Sequence, residues 1–454
     1  MSYPQQCLPR LRVGMLALLL SGSALASGYN FGSQSVSAQG SSHANGAEAA
    51  DASTLYYNPA GMTRLAGDQL SFGMTTVIPQ TSYEDQGSTY PVFHGGTQQQ
   101  TAATGDNGGH FAPSSVTVPS FYLTHQVNDR LHLGFALFVP YGAQLNYGSS
   151  WVGRYAMESV KLESVNFNPS LALKLDERQS VALGVSAQYM RAHLQKAVDL
   201  AALTPLATQD GQASFSADSW GYGFNLGYLF ELDDHTRFGL AYRSRIKQAL
   251  SGSAHWDFSG NPNFIQTLGR TWHPDSSATT DVTTPASASA NFYHDLTDKL
   301  AVMGNITWTG HSDMQSITIK LPGTTQGDMV INQQWRDSWL YALGANYKWN
   351  ERLMLRTGVA YDQSPVSDDT LRHPALPDSD RYWISLGANL RLDKQSSLDF
   401  AYSYVFFRDA TVNYSDRCAP QAAAVTACTG NGETTRGTYK TSLQLLGLQY
   451  NYRF

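Results

Sequence analysis

The sequence predicts an all-β chain: a transmembrane antiparallel β-barrel of about fourteen strands with an N-terminal hatch inside its lumen. Three observations predict it. Only 15% of the 454 residues are charged, against roughly 25% in soluble domains. Segment after segment alternates with a period of two, and the N-terminus reads as an export signal. Mean hydropathy is nonetheless −0.30, and past the extreme N-terminus no run approaches the roughly 18 apolar residues of a membrane-crossing helix. Strands with one apolar and one polar face reconcile these facts, because averaging along the chain cancels the two faces.

Residues 1–26 form the expected signal peptide. Arg10 and Arg12 precede the apolar stretch Val13 to Leu20, and Ala24-Leu25-Ala26 supplies the small-x-small cleavage pattern. The stretch is about half the length of a spanning helix, which disfavours a retained anchor. Cleavage removes two of the 30 basic residues and none of the 36 acidic ones, moving the formal charge from −6 to −8. That balance disfavours nucleic acid as a partner. Cys418 and Cys428 remain in a Gly/Ala/Thr-rich stretch and read as a loop disulfide, with two free thiols as the rival. No His or further Cys stands beside them at ligand spacing, so no metal site is expected.

Residues 27–67 do not alternate. Ala49-Ala50-Asp51-Ala52-Ser53-Thr54-Leu55-Tyr56-Tyr57-Asn58-Pro59-Ala60-Gly61-Met62 is rich in small residues and poor in charge, which suits a plug packed inside the lumen better than a solvated arm.

Alternation begins near Asp68 and continues to Phe454. Leu398, Phe400, Tyr402, Tyr404 and Phe406 oppose Asp399, Ala401, Ser403 and Val405, and Leu446, Leu448, Tyr450, Tyr452 and Phe454 oppose Leu445, Gly447, Gln449, Asn451 and Arg453. Short polar turns recur at Asn128-Asp129-Arg130, Asp176-Glu177-Arg178, Asp233-Asp234-His235, Asp295 to Asp298, Asn350-Glu351-Arg352 and Asp393-Lys394-Gln395. Longer Gly/Ser/Thr/Pro-rich segments lie between them, which is the outer-membrane pattern of short periplasmic turns and long outer loops. Soluble sandwiches and propellers also alternate. The export signal, the aromatics at strand ends and the closing Tyr450-Asn451-Tyr452-Arg453-Phe454 favour the membrane barrel. That closing strand resembles the assembly signal of Gram-negative outer-membrane barrels.

Four stretches taken in order carry a wider resemblance: Glu48 to Met62 with Asn58-Pro59-Ala60, Tyr361-Asp362-Gln363-Ser364-Pro365-Val366, Leu376-Pro377-Asp378-Ser379-Asp380-Arg381-Tyr382-Trp383, and the C-terminal Asn451-Tyr452-Arg453-Phe454. Over essentially the whole mature chain the sequence resembles the outer-membrane long-chain fatty acid transporter family of the FadL/TodX type, which includes aromatic-hydrocarbon channels. The resemblance implies a fourteen-stranded barrel, a hatch carrying the Asn58-Pro59-Ala60 turn, and passive passage of hydrophobic molecules out through the barrel wall.

Within that frame, parity nominates the lumen residues. Phe238, Leu240 and Tyr242 facing lipid would turn Arg243, Arg245 and Lys247 inward, where guanidinium groups can bind a carboxylate. Asp362 and Arg381 would pair across neighbouring strands and hold the hatch. Arg191 matches a family Arg near the binding pocket, yet its parity is that of the outward Val185 and Tyr189. Loops at 194–218 and 251–281, with Leu200, Leu203, Trp256, Phe258, Phe264, Leu268 and Trp272, would offer an apolar landing groove. The rival is that these side chains only pack the loops together. Pro140-Tyr141-Gly142 interrupts an alternating strand where the family opens its wall, with an ordinary strand end as the rival. The family pattern lacks the proline, which leaves the window's placement open.

The partners so implied are a long-chain fatty acid or other hydrophobic small molecule and outer-membrane lipid, with the chain a monomer. A neutral-hydrocarbon channel is the alternative within transport. A lipid hydrolase has no G-x-S-x-G elbow to support it, and an adhesin has only the long loops. No nucleotide or calcium loop is present, so no cofactor is expected.

Overall fold

The computed structural model describes residues 29–94, 97–200, 206–324, 327–415 and 432–454. The expected signal peptide, Leu203 and the Cys418–Cys428 disulfide lie outside the described residues. Within them the chain closes into a fourteen-stranded antiparallel barrel. In order the strands are Gln69–Asp85, Val116–Gln126, Leu131–Phe138 with its continuation Gly142–Asn146, Ser159–Lys174, Gln179–Val198, Gly211–Glu231, and Thr236–Arg243 continued as Ile246–Asp257. There follow Ser276–Thr284 continued as Ser287–Asp295, Leu300–Thr309, Ser338–Lys348, Leu353–Asp362, Arg381–Arg391, Ser396–Phe407 and Thr434–Arg453. The first strand pairs with the last from Gln69↔Arg453 to Asp85↔Gly437. Closure removes the free edges that a bilayer could not hydrogen-bond.

All six expected turns are present, and a side-chain oxygen organises each. Asn128, Asp176, Asp233, Asn350 and Asp393 each accept two backbone N–H groups, from the residues two and three positions on, and Thr297 does the same with its hydroxyl. A short acceptor at the turn's first position closes it without main-chain strain, which is why Asp, Asn and Thr recur there. The same bonds hold the carboxyls of Asp176, Asp233 and Asp393 below the usual carboxylate range.

The faces follow the alternation. Phe400, Tyr402 and Phe406 stand outside, while Asp399, Ser403 and Val405 are buried inside; Leu446 and Leu448 stand outside, while Leu445 and Gln449 are buried. The lumen is filled by residues 29–67, which include the helices Val36–Gly40 and Thr54–Tyr57 and the 3-10 turn Pro59–Arg64. This inner segment lies close against the wall: a β-carbon on Gly358 would collide with the main chain of Ser41. Tyr29 of this segment packs with Tyr141, Met190, Leu250, Met314 and Trp335 in one buried apolar cluster.

Candidate functional site

A cavity of about 120 Å³ lies between the inner segment and the wall. Tyr56, Tyr57 and Trp383 give it aromatic sides, and Asn225, Ser287, Asn291, Asn305 and Thr307 give it polar ones. Arg243 closes one end. Its guanidinium carbon sits 5.0 Å from the ring centre of Tyr56 and 5.1 Å from that of Phe138, and Nη2 donates to the Tyr56 carbonyl at 3.2 Å. Nη1 is shielded from solvent and has no hydrogen-bond partner. Among the described residues no carboxylate forms an ion pair with Arg243. The ring faces and one carbonyl stabilise a cation only partly, and Asp362, which also lines the cavity, is paired with Arg381.

Arg245 and Lys247 do not join it, a correction to the inward stripe expected from parity. The seventh strand breaks after Arg243 and resumes at Ile246. Between the rungs Arg243↔Asn225 and Ser251↔Asp218 it spends one residue more than the sixth strand does. A one-residue bulge reverses the facing of everything beyond it. Ile246, Gln248 and Leu250 are therefore buried, whereas Arg245 and Lys247 are exposed, paired with Asp313 at 3.2 Å and Asp281 at 3.6 Å. Arg191 also points outward, between Glu163 and Asp218 on the flanking strands, with its neighbour Met190 buried. The carry-over to the pocket fails for that residue.

Asp362 and Arg381 do pair, Nε to Oδ2 at 3.0 Å, and Arg381 adds Asp378 at 3.2 Å. Asp378 belongs to the loop between the eleventh and twelfth strands, where it accepts from Ser364 Oγ at 2.7 Å. The cluster thus ties down that loop instead of the inner segment. A different set holds the inner segment: Arg356 with Glu48 at 2.8 Å and Asp399 at 3.4 Å, Asn346 donating to Glu48 at 2.6 Å, and Arg237 donating to the carbonyls of Ala47 and Glu48. Arg237 and Arg356 were not among the expected lumen residues, although the parity of Phe238 and Leu355 puts both inside.

The Asn58-Pro59-Ala60 turn faces the same wall as the cavity. Asn58 Oδ1 caps the Ala60 N–H at 3.1 Å and Nδ2 reaches the Tyr228 carbonyl at 3.0 Å. Gly227 makes the room, since a β-carbon there would lie 2.5 Å from Asn58 Oδ1.

At Pro140-Tyr141-Gly142 the third strand is interrupted, and its ladder with the second strand ends at the rung Phe121↔Leu137. Main chain of the inner segment fills the break. Phe31 N–H donates to the Pro140 carbonyl at 2.8 Å, Gly142 N–H to that of Tyr29 at 2.9 Å, and Gln34 Nε2 to that of Val139 at 2.6 Å.

The landing-groove residues divide into two kinds. Leu200, Trp256 and Phe258 are buried in an apolar cluster under the outer helix Asn263–Trp272. Phe264 and Trp272 are exposed and Leu268 is half-buried, spaced by four residues along one face of that helix.

The model of the outer membrane protein transport protein family (OMPP1/FadL/TodX) matches residues 17–454. An outer membrane protein of Neisseria meningitidis serogroup B is 31% identical over 94% of this chain and 95% of its own. The long-chain fatty acid transport protein of Escherichia coli K12 is 27% identical over 87% of this chain and 91% of its own. In fold, a Pseudomonas aeruginosa FadL homologue superposes with a TM-score of 0.82 at 24% identity, covering 94% of this chain and 99% of its own. The toluene transporter TodX of Pseudomonas putida gives 0.63 at 17% identity over 89% and 94%. Closed barrel, filled lumen and family match agree: this chain belongs to the FadL/TodX family of outer-membrane transporters of hydrophobic small molecules.

Proposed function

We propose that the chain carries out passive uptake of long-chain fatty acids across the outer membrane. The exposed face of the outer helix captures the acyl chain, Arg243 holds the carboxylate at the cavity, and the molecule leaves sideways through the wall at Pro140-Tyr141-Gly142 once the inner segment shifts. One observation carries this reading: Arg243 has a solvent-shielded, unpartnered Nη1 and, among the described residues, no carboxylate paired to it. A fatty acid supplies the missing charge and the second hydrogen-bond acceptor together. A neutral ligand would leave that cation as costly as before.

The aromatic sides of the cavity, Tyr56, Tyr57 and Trp383, favour a second reading, a channel for neutral aromatic hydrocarbons. Equilibrium binding to the purified protein separates the two. Oleate binding that weakens on Arg243→Ala while toluene binding is unaffected supports the fatty acid. Oleate binding indifferent to Arg243→Ala removes it.

A further inference from the structure

We propose a second portal through the barrel wall, between the sixth and seventh strands just above Arg243, through which an acyl chain passes from the cavity to the surrounding lipid. The proposal rests on the reading of the cavity as a carboxylate site.

The ladder between these strands stops at Arg243↔Asn225 and resumes at Ser251↔Asp218. Among the described residues, 219–224 of the sixth strand form no ladder rung with the seventh, apart from a local pair of bonds between Ser244 and Phe224. The same residues pair without interruption on their other side, from Met190↔Ser219 to Val185↔Phe224. The opening is therefore confined to one seam. A bare strand edge is not tolerated in hydrocarbon, so something must cover it, and here the cover is side chains. The seventh strand bends inside the sixth, and Ile246 lies where β-carbons on Gly221 and Gly223 would be, at 2.5 Å and 2.7 Å. Gln248 passes beneath the sixth strand, accepting from Ser219 Oγ at 2.7 Å and donating to Gln188 Oε1 on the fifth strand at 3.0 Å. Outside the seam stands Tyr222, 73% exposed.

The position is suited to release. Asn225, Ala241 and Tyr242, on the last rungs before pairing stops, line the cavity itself. A carboxylate on Arg243 would hold one end of the molecule while its tail reached the seam. Opening requires Ile246 and Gln248 to rotate, whereas the break in the third strand is blocked by main chain of the inner segment. Rotamer changes are quicker than displacement of a packed, hydrogen-bonded segment.

A disulfide staple tests the portal. In Gly223→Cys/Ile246→Cys the two side chains are brought together, since Cγ1 of Ile246 lies 2.7 Å from where a β-carbon at 223 would be, and a small outward shift reaches the roughly 3 Å between a β-carbon and the far sulfur of a disulfide. Oleate uptake is measured in cells lacking another transporter, and oleate binding on the purified protein. The expected result is that the oxidised staple slows uptake, leaving only the exit at Pro140-Tyr141-Gly142, keeps binding intact and restores the wild-type rate on reduction. Uptake at the wild-type rate in the oxidised form, with the staple verified by mass, overturns the portal. If the stapled chain does not assemble, as read from heat-modifiable mobility, Ile246→Ala decides: faster uptake supports the portal, and unchanged or slower uptake overturns it. Wild-type protein that binds no oleate marks failure of the carboxylate reading instead. Toluene uptake through the stapled barrel then judges the seam by the same criterion.

Discussion

Arg356 joins the barrel wall to the inner segment through Glu48: its Nη1 lies 2.8 Å from Oε1 and 3.0 Å from Oε2, and its Nη2 3.4 Å from Asp399. All three side chains are almost wholly withdrawn from water. Removing Glu48 breaks the closer of the two buried contacts and leaves Arg356 only Asp399 at 3.4 Å, and breaking a buried pair costs roughly 3–5 kcal/mol. Asp399 stays hydrogen-bonded to Asn389 and Asn451 at 2.9 Å and 2.7 Å, so the cost should fall on Arg356. Glu48→Ala should lower the thermal unfolding midpoint well below that of Glu48→Gln, which keeps an acceptor in place. Equal midpoints would mean that the pair does not anchor the segment.

Arg243 should be separable from its two basic neighbours in a single titration series. A hydrogen bond to a charged group is worth roughly 1.5–3 kcal/mol, so Arg243→Ala should weaken oleate binding on the order of ten- to a hundredfold. Arg245→Ala and Lys247→Ala remove exposed charges from pairs with Asp313 and Asp281, and exposed pairs contribute about 1 kcal/mol or less. Both variants should bind oleate as the wild type does. The measurement is fluorescence or calorimetric titration in detergent.

This contrast marks how far the sequence could be read. Where strands run unbroken, as in Leu398 to Phe406, alternation assigns every side chain to its face, and the turns declare themselves through Asp, Asn and Thr. The strands counted around the six turns came to about fourteen, the small-residue, charge-poor composition of residues 27–67 pointed to a plug in the lumen, and the resemblance implied both again. The same alternation turned Arg245 and Lys247 the wrong way because one extra residue near Ser244 inverts the register, and a bulge of that kind has no marker in Tyr242-Arg243-Ser244-Arg245. Arg237 and Arg356 were legible and overlooked. Their partners were not legible: Glu48 is 308 residues from Arg356 along the chain, and only the packing of the inner segment brings them together.

His43 makes acid stability testable. It lies on the inner segment beside the cavity, its Nε2 2.8 Å from Ser33 Oγ and its ring edge-on to Trp383 at 4.9 Å. Burial lowers its pKa to about 4. The unfolded chain protonates this imidazole near pH 6.5 and the folded chain only near 4, so the unfolded state binds more protons between those values. Stability is therefore complete above about pH 6.5 and falls toward pH 4, by up to about 3 kcal/mol from this group. His311, lowered by burial to about 3, acts in the same direction. Urea unfolding of wild type and His43→Gln across this window should show a smaller pH slope in the variant, and identical slopes would exclude His43 as a source.

The wall glycine under the Asn58 turn gives a steric test. A β-carbon on Gly227 would lie 2.5 Å from Asn58 Oδ1 and 2.8 Å from the Ala60 nitrogen, inside contact distance of a turn that is itself pinned to the Tyr228 carbonyl. Overpacking of this kind costs roughly 1–3 kcal/mol. Gly227→Ala should lower the unfolding midpoint, and adding Asn58→Ala, which removes the colliding oxygen, should recover part of that loss. A double variant no better than the sum of the two singles would refute the contact.

The outer loops pose the question of packing against capture, and exposure divides their residues. Trp256 and Phe258 are buried, so truncation to Ala should cost roughly 3–5 kcal/mol of stability as core aromatics do, and any transport defect would follow from that. Phe264 and Trp272 project from the outer helix, 55% and 40% exposed, and substitution of exposed residues shifts stability within about 0.5 kcal/mol. Phe264→Ser/Trp272→Ser should therefore leave the unfolding midpoint and the oleate affinity of the cavity unchanged while slowing uptake from dilute oleate. The deficit should shrink as oleate concentration rises, because capture limits the rate only when encounters are few. A deficit that persists at saturation would place the defect after capture and remove these two side chains from the landing surface.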